Sequence, residues 1–449
     1  MRAFFEPKSV AVVGASRDSH KVGYGVMKNL KDGGFFYTHF SRPFRGKIFP
    51  VNPNCKELFG LKCYKSLIKI RGVIDLVVIA VPAPLVLKVV KDCVKKKVKG
   101  IIIISAGFAE VGNKKLQEGI VNLVKGAKIP LIGPNCLGII NTHTNLNATF
   151  APVSPPKGDV AFVSQSGALA DSILDWAVEN RYGFSKVVSY GNSADVDVND
   201  ILSYLSKDKE TKAITLYIEG IKDGRRFMKV AKKCKKPIIV IKAGRTSEGL
   251  EAVSSHTGSL AGSFDVYRSA FRQSGVHFAE TLQQLFDYAH ILSKQPKLKE
   301  NSVAIVTNGG GCGVLAADYC DMFGLKLAKP SKATFKKIEK KMHPAYSRRN
   351  PVDIVGDALP DRYEAAINAM LSDKSVHGLL VIETLQTMTK PVDNAKVIVR
   401  ARKCFPKKPI VCAFMGGKFT REGKMYLGAH GVPVFKDLER AVRNLRILL

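Results

Sequence analysis

The sequence predicts an α/β protein built from doubly wound parallel sheets, and three features of the chain support that prediction. Short continuous runs of β-branched and other apolar residues recur along the chain, with amphipathic stretches between them. Such runs are typical of parallel strands that helices cover on both faces. Turn-forming residues follow the runs directly, as they do in open α/β sheets. The length of 449 residues suits about three domains of this kind.

The composition agrees with a folded protein that does not span a membrane. Hydrophobic residues make up 46% of the chain and charged residues 24%, which is ordinary for globular domains. The 9 cysteines include no Cys-x-x-Cys pair, so neither a disulfide framework nor a zinc site is indicated. No apolar run approaches the roughly 18 residues that a membrane span needs, and the N-terminus lacks a signal-peptide pattern. We expect a cytoplasmic protein with no membrane partner.

The formal net charge of +32 invites an interpretation as a nucleic-acid-binding protein, because basic surfaces bind phosphate polymers. The lysines, however, are spread along the whole chain. Local runs such as residues 95–97 fall late in predicted helices, where they complement the helix dipole. No basic motif is interleaved with aromatic residues. The charge therefore favours attraction of small anionic substrates, and we do not expect nucleic-acid binding.

The first region, residues 1–127, carries the predicted strands of a nucleotide-binding sheet, at residues 10–13, 48–51, 76–81 and 101–104. Ligands of such sheets bind at the carboxyl ends of the strands. The turn that begins at Gly14 lacks the Gly-x-Gly-x-x-Gly spacing, which disfavours NAD. A phosphate-bearing ligand on a longer loop and a turn without any ligand both stay open. Residues 36–45 are aromatic and basic and are predicted to form an inserted loop.

The second region, residues 128–295, begins a new sheet at residues 160–163. The sequence Ser164-Gln165-Ser166-Gly167 then opens a helix that is predicted to run to about Glu179. Small and hydroxyl residues at a helix start leave backbone N–H groups free to hold an anion. A hydrolase nucleophile at Ser166 is disfavoured, because the nucleophile elbow requires glycine two residues before the serine.

The third region, residues 296–449, repeats the pattern of the second. A strand at residues 303–306 leads through Thr307 into Asn308, Gly309, Gly310 and Gly311, and residues 380–383 echo residues 216–219. The echoes predict two sister domains, each with a glycine-rich helix start. Two such helix ends at one place would form a strong phosphoryl site. Chance repetition of common α/β architecture is the alternative.

His256 stands among small and hydroxyl residues at positions 254–263. A histidine in this setting can accept a phosphoryl group, because its neighbours leave room for phosphate and can hydrogen-bond its oxygens. The alternative is a helix-start histidine without chemistry. Glu219 ends a strand that is predicted to be buried, where a carboxylate could fix the tautomer of a nucleophilic histidine. A salt bridge to Lys222 or Arg225 is the alternative for Glu219.

Several motifs together resemble one known family, and they lie at residues 10–16, 51–53, 133–138, 164–167, 217–220, 255–258, 307–311 and 350–353. In this order they resemble the α subunits of the ADP-forming (NDP-forming) acyl-CoA synthetases. That family is typified by ADP-forming acetate–CoA ligase and is related to succinyl-CoA synthetase. The resemblance covers nearly the whole chain.

The resemblance implies a Rossmann-like CoA-binding domain followed by two flavodoxin-like ligase domains, the first of which carries the phosphorylated histidine. It implies the reaction acyl-CoA + ADP + phosphate ⇌ acid + ATP + CoA, with acetyl-CoA as the family's default substrate and with an acyl phosphate and a phosphohistidine at His256 as intermediates. Glu219 matches the carboxylate that supports the phosphohistidine. The phosphate cradles match Ser164, Gln165, Ser166 and Gly167 and also Asn308, Gly309, Gly310 and Gly311. The CoA-lining turns match Gly14, Ser16, Lys21, Asn52, Pro82, Ser105 and Asn135.

The chain also departs from the family pattern. The loop at residues 36–45 is longer than expected, and Cys312 stands where we expect proline. No segment resembles an ATP-grasp domain, so we expect ADP or ATP, with Mg²⁺, to bind on a separate β subunit in an α2β2 assembly. The segment around His256 is then expected to move between sites. A non-catalytic CoA-binding module is the alternative, and the presence of both His256 and Glu219 argues against it.

Overall fold

The computed structural model describes the backbone of residues 1–257 and 263–449 and the side chains of residues 1–253 and 263–449. The chain divides into two compact units, Met1–Ala289 and His290–Leu449. Two of the predicted sheets lie in the first unit and one lies in the second. The predicted domain boundaries at residues 127 and 295 stay a prediction. Among the helices in the described ranges, none has the length and apolarity needed to cross a bilayer.

The first sheet confirms the predicted parallel architecture. Its part of the chain contains, in order, α1 (Arg2–Phe5), β1 (Ser9–Val13), α2 (Val22–Asp32), β2 (Lys47–Val51), β3 (Glu57–Leu58), β4 (Leu61–Lys62), β5 (Leu76–Ile79), α3 (Ala83–Lys96), β6 (Gly100–Ile103), α4 (Lys114–Gly126) and β7 (Leu131–Ile132). The sheet order is β2-β1-β5-β6-β7, and β3 and β4 form a separate hairpin. Every residue of β1, β5 and β6 is buried, which explains their continuous apolar runs.

The second sheet has a parallel core and an antiparallel edge. It is built from β8 (Gly138–Asn141), β9 (Leu146–Thr149), β10 (Lys157–Ser164), α5 (Gly167–Glu179), β11 (Phe184–Ser189), α6 (Val198–Leu205), β12 (Ala213–Ile218), α7 (Gly224–Lys233), β13 (Ile238–Lys242), α8 (Ser247–Thr257), α9 (Phe264–Gln273), β14 (His277–Phe278) and α10 (Leu282–Lys294). The order is β14-β13-β12-β10-β11-β8-β9. The antiparallel strands β8 and β9 were not predicted, because they are short and carry no continuous apolar run.

The second unit confirms the predicted sister domain. It contains β15 (Ser302–Thr307), α11 (Gly310–Met322), β16 (Lys326–Leu327), α12 (Lys332–Ile338), β17 (Val352–Asp353), α13 (Pro360–Ser372), β18 (Gly378–Glu383), α14 (Pro391–Cys404), β19 (Ile410–Phe414), α15 (Arg421–Ala429), β20 (Val434–Phe435) and α16 (Leu438–Arg446). The order is β16-β15-β18-β19-β20, with β17 on β15. When the strands of each sheet are numbered along the chain and β17 is left out, this order is the same as that of the five parallel strands β10–β14 of the second sheet.

The aromatic and basic stretch at residues 36–45 is a loop without helix or strand, as predicted. It is joined to the segment after β9, since the Phe36 amide donates to Pro152 O at 2.8 Å. The loop also borders a cavity of about 310 Å³, which Arg42, Arg45 and Lys157 line with their basic side chains. The loop therefore belongs to the first unit's folded body.

Candidate functional site

The strands of the first sheet end level with one another, so the turns that follow them share one edge. Val13, the last residue of β1, lies opposite Val51 of β2 and Ile79 of β5, and Ile79 lies opposite Ile103 of β6. The chain order reverses between β1 and β5. Ligands of doubly wound sheets bind at the carboxyl ends of the strands beside such a reversal. This edge is therefore the candidate ligand site of the first sheet.

Gly14 and Gly23 let α2 begin directly against the first turn. Gly14 has φ +93°, and a Cβ atom built on it would lie 2.3 Å from Ala80 O. A Cβ atom on Gly23, in the first turn of α2, would lie 1.9 Å from Gly14 O. Only glycine fits either position. In a Gly-x-Gly-x-x-Gly turn the third glycine lets the helix pack closely against the strand. Gly23 has that role here, although it lies further along the chain from the first glycine, Gly14.

The first predicted CoA residues lie on the turns after β1 and β2. Ser16 Oγ accepts a hydrogen bond from the Asp18 amide at 3.0 Å, and Lys21 directly precedes α2. Asn52 Nδ2 donates to Ala15 O at 2.8 Å. This bond joins the turn after β2 to the turn after β1, so the two turns present one surface.

The remaining predicted CoA residues follow β5, β6 and β7. Pro82 directly precedes α3, and Ser105 Oγ donates to Val81 O at 2.5 Å. Asn135 has φ +57°, and its amide donates to Ser105 O at 3.0 Å. The structure thus brings the predicted residues to one edge of one sheet. Their contact with CoA stays a prediction.

The second sheet reverses its chain order between β10 and β12, and α5 begins at that edge. Ser166 directly precedes α5, and its Oγ accepts from the Leu169 amide at 3.3 Å. The amides of Gly167 and Ala168 belong to the first turn of the helix, so the helix itself offers them no acceptor. Together with the positive end of the helix dipole they can bind an anion.

Ser164 and Gln165 fix the strand ends beside this helix start. Ser164 is fully buried, and its Oγ accepts from the Ser166 amide at 3.1 Å. Gln165 Oε1 accepts from the Glu219 amide at 2.5 Å and from the Gly220 amide at 2.9 Å. Both side chains thus bond to the backbone of this edge. Their observed contacts hold the cradle in shape.

The second unit repeats the arrangement after β15. Thr307 Oγ1 accepts from the Gly309 amide at 3.0 Å, as the serine that ends β10 does in its own turn. Asn308 Oδ1 accepts from the Thr384 amide at 2.7 Å, and Asn308 Nδ2 donates to Thr384 O at 2.9 Å. The two sister sheets therefore use side chains at the same two positions. The first closes the turn after the central strand, and the second joins that strand to its neighbour.

An acid faces the helix start of the second unit. A Cβ atom on Gly310 would lie 2.7 Å from Asp353 Oδ2, so this carboxylate faces the first turn of α11. Its negative charge opposes binding of phosphate there. Gly311 and Cys312 follow in the same turn, and the Cys312 amide donates to Gly309 O at 3.1 Å. That both helix starts bind one phosphate stays a prediction.

The strand pairing shows that Glu219 and Glu383, which the sequence comparison aligned, are offset by one residue. The last residue of β10 lies opposite Tyr217, and the last residue of β15 lies opposite Ile382, so Tyr217 and Ile382 are equivalent. Glu219 lies two residues after Tyr217 and so corresponds to Thr384. Its partner in the sequence echo, Glu383, lies one residue earlier, inside β18. The second unit therefore has no carboxylate at the position of Glu219.

Glu219 is 6% exposed and lies among tyrosines. Burial and the neighbouring Glu219 raise the pKa of Tyr217, which hydrogen-bonds to Glu219, to about 12. Tyr190 is fully buried, and burial together with the charge of Glu219 raises its pKa well above the ordinary value. Lys222, considered above as an ion-pair partner, instead donates to Ser193 O at 2.5 Å. Glu219 thus lies in a buried cluster of polar side chains, with Tyr217 and Tyr190, at the edge of the sheet.

Lys242 and Tyr267 complete this cluster and were not predicted as site residues. Lys242 ends β13 and is 1% exposed, and its ammonium lies 4.6 Å from the centre of the Tyr267 ring. Lys242 and Tyr217 also line a cavity of about 380 Å³. A signal was present in the sequence, because a lysine ends the apolar run of β13 just as Glu219 follows that of β12.

His256 lies in the last turn of α8, but its side chain lies outside the described residues, as do residues 258–262. The predicted contact between His256 and Glu219, and the predicted movement of the segment, therefore stay predictions. The described part of the site is the edge against which such a histidine would act. It combines one buried carboxylate with a helix start that can bind an anion.

Comparison with known proteins assigns each sheet to a family model. A CoA binding domain matches residues 8–142, a succinyl-CoA ligase like flavodoxin domain matches residues 157–292, and a ligase-CoA domain matches residues 303–445.

Among curated proteins, the chain is 49% identical over 98% of its length to an ADP-forming acetate–CoA ligase of Methanocaldococcus jannaschii, and it spans 61% of that protein. It is 44% identical over 97% of its length to the α subunit of ADP-forming acetate–CoA ligase II of Pyrococcus furiosus, and it spans 94% of that subunit. Among solved structures, it matches the dinucleotide-forming acetyl-coenzyme A synthetase 1 of Candidatus Korarchaeum cryptofilum in complex with phosphate and ADP. That match has a TM-score of 0.92 at 39% identity and covers 100% of this chain and 96% of the other.

Proposed function

The chain belongs to the family of the ADP-forming acetate–CoA ligases, and from that membership we propose that it carries out the acyl-CoA half of their reaction. The proposed substrates are a small acyl-CoA, with acetyl-CoA as the first candidate, and inorganic phosphate. The proposed products are the free acid, CoA and a phosphoryl group on His256. The turns after β1, β2, β5, β6 and β7 are the proposed CoA site.

The observation that carries this proposal is the position of Glu219. Its carboxylate is buried at the carboxyl end of β12, and its own amide is bonded to Gln165 at the entry to α5. A buried carboxylate and an anion-binding helix start thus lie at one edge of one sheet. Transfer of a phosphoryl group to histidine needs both, because one binds the charged group and the other orients the imidazole.

The proposed chemistry proceeds in two steps. An oxygen of phosphate attacks the thioester carbonyl, and the CoA thiolate leaves, which gives an acyl phosphate. A ring nitrogen of His256 then attacks the phosphorus, and the acid leaves as its carboxylate. Glu219 accepts the N–H of the other ring nitrogen, which keeps the attacking nitrogen unprotonated and nucleophilic. The first-turn amides of α5 hold the phosphoryl oxygens during the transfer.

We place the nucleotide and its Mg²⁺ on a partner subunit. The P. furiosus relative, of which this chain spans 94%, is named an α subunit, which supports a separate partner subunit. The M. jannaschii relative is longer than this chain, and its additional length is a candidate for the corresponding part in one polypeptide. An α2β2 assembly with an ATP-grasp β subunit is the arrangement that we propose.

A phosphoenzyme assay tests this function. The chain is incubated with its partner subunit, acetyl-CoA and ³²P-labelled phosphate, and acid-labile, base-stable label on the chain is measured. We expect label on the wild type and none on His256→Ala, while Glu219→Gln labels far more slowly. His430→Ala is the matched control, since His430 lies in the second unit and its Nδ1 bonds to Tyr426 O at 2.8 Å.

The same samples distinguish the ligase from a non-catalytic CoA-binding module. CoA binding is measured by isothermal titration on each variant, and we expect His256→Ala to bind CoA as the wild type does. CoA binding without any label on the wild type would support the binding module instead. Equal label on the wild type and His256→Ala would refute the assignment of the phosphorylated residue.

A further inference from the structure

Lys242 is a buried lysine beside the carboxylate of the proposed site. It ends β13, where it pairs with Ile218, the last residue of β12, so it lies one strand away from Glu219. It is 1% exposed, although lysine is among the residue types that are almost never fully buried unless paired. A charge in such a place is retained against a large desolvation cost. The position therefore calls for an explanation.

The surroundings of Lys242 hold its ammonium in one place. Lys242 Nζ donates to Ala243 O at 2.5 Å and lies 4.6 Å from the centre of the Tyr267 ring. Tyr267 is itself fixed, since its hydroxyl accepts from the Ile221 amide at 3.1 Å. A carbonyl oxygen and the face of an aromatic ring both favour a positive charge. The ammonium is thus oriented by a carbonyl oxygen of its own segment and by the ring of Tyr267 in α9.

The carboxylate whose charge acts on Lys242 is Glu219. Burial lowers the pKa of Lys242 and the charge of Glu219 raises it. The charge of Glu219 also acts on Tyr190, whose buried hydroxyl has no hydrogen-bond partner among the described residues. A fixed cation attracts a neighbouring carboxylate and so favours one orientation of it. Lys242 can thereby hold the carboxylate of Glu219 in place at the sheet edge.

The sister sheet shows that the fold itself does not require a lysine at this position. The residue of β19 that pairs with the last residue of β18 is Phe414, which is fully buried. Phe414 is therefore the counterpart of Lys242 in a sheet of the same order. The counterpart of Glu219 in that sheet is Thr384. The acid and the lysine are thus present together in one sheet and absent together from the other.

We propose that Lys242 is a positioning residue for phosphoryl transfer, whose buried ammonium orients the carboxylate of Glu219 to accept the N–H of the phosphorylated histidine. This inference rests on the proposed function. Lys242 acts through Glu219, so its removal slows formation of the phosphoenzyme and leaves CoA binding intact. The CoA-lining turns belong to a different sheet, which is why the two effects separate.

The test compares Lys242→Met, which keeps the volume and loses the charge, with Lys242→Arg, which keeps the charge. We expect phosphoenzyme formation to slow by about 10- to 100-fold in Lys242→Met, corresponding to loss of an opposite charge beside a carboxylate, and by much less in Lys242→Arg. Lys186→Met is the matched control, because Lys186 is equally buried and pairs with Asp208 at 2.6 Å in the same unit. It is expected to reduce stability without slowing the labelling of folded protein.

A double-mutant cycle with Glu219→Gln separates a positioning role from a structural one. If Lys242 acts through Glu219, Lys242→Met slows the labelling no further once Glu219→Gln is present. Additive effects of the two changes would overturn the inference, as would wild-type labelling rates in Lys242→Met. If Lys242→Met and the double variant fail to fold, Lys242→Arg decides, since a rate as low as that of Glu219→Gln in this folded variant would exclude a role of the charge. Absence of label on the wild type would instead refute the proposed function.

Discussion

Glu383 should make the second unit less stable as the pH rises from acidic to neutral. It is fully buried at the end of β18, and Asn394 Nδ2 donates to its Oε2 at 2.7 Å. Glu383 Oε1 and Asn394 Oδ1 are both buried without a hydrogen-bond partner among the described residues. Burial raises the pKa of Glu383 from 4.5 to about 7, against the opposing effects of Asn394 and Lys424.

The sign and size of the effect follow from the two pKa values. Below pH 4.5 the carboxyl group is protonated in the folded and the unfolded state, so its ionisation does not affect stability. Between 4.5 and about 7 the unfolded state ionises while the folded state keeps its proton, so the free energy of unfolding falls as the pH rises. The two values lie about 2.5 pH units apart, so the full loss above neutral pH is about 3 kcal/mol.

Glu383→Gln removes this loss, because a neutral amide has no charge to bury. We expect the variant to be about 3 kcal/mol more stable than the wild type at pH 8, but less than about 1 kcal/mol more stable at pH 5. Glu364→Gln is the control, since Glu364 makes a surface ion pair with Arg400 at 3.1 Å and should show no such dependence.

Hydrogen exchange measured by mass spectrometry on peptides from β15 and β18 is the suitable assay, because it reports opening of this unit alone. Fluorescence of the single tryptophan, Trp176, reports on the first unit instead. Equal protection of the wild type and Glu383→Gln at pH 8 would refute the reasoning. So would a stabilisation of the same size at pH 5, since it would show that the charge of Glu383 is not the cause.

Two further predictions concern the candidate CoA site. Gly23→Ala places a Cβ atom 1.9 Å from a backbone oxygen and should lower CoA affinity at least tenfold by isothermal titration, corresponding to about 1.4 kcal/mol, whereas Gly119→Ala, with open space around it inside α4, should not. Cys55 and Cys63, whose sulfur atoms lie 3.9 Å apart, should form a disulfide on treatment with oxidised glutathione, detectable by peptide mapping, and Cys55→Ser should prevent it. Because Cys63 also bonds to Asn52 O at 3.6 Å, the oxidised chain should bind CoA more weakly than the reduced chain.

The sequence predicts the sheets well because their central strands are buried on both faces. A strand of this kind consists almost entirely of apolar residues, so its run stands out from the surrounding helices. The glycine-rich helix starts are equally visible, since Ser166 and Gly309 each directly precede a helix. These local patterns were sufficient to predict the repeat that the strand order confirms.

Features that depend on pairing between distant segments could not be predicted in this way. β8 pairs with β9 on one side and with β11 on the other, and its buried asparagine finds its partner far away in the chain. Asn141 of β8 is buried, and its Nδ2 donates to Phe5 O at 2.8 Å. Lys242 was missed for the same reason, because its burial depends on Tyr267 of a helix that comes later in the chain. Side-chain chemistry at an edge is set by tertiary neighbours, which a single sequence does not show.

The offset of one residue between Glu219 and Glu383 explains how two sheets of the same order come to carry different chemistry. Glu219 follows the last residue of β12, where the sheet ends and a helix start lies beside it. Glu383 is still inside β18, where its side chain is enclosed by the core and is best accommodated in its protonated form. Lys242 on the neighbouring strand supplies a positive charge close to the first position, whereas the apolar Phe414 occupies the equivalent place beside Glu383. Moving an acid by one residue, together with the choice of its neighbour, is therefore sufficient to separate a proposed catalytic group from a buried acid that weakens the fold at neutral pH.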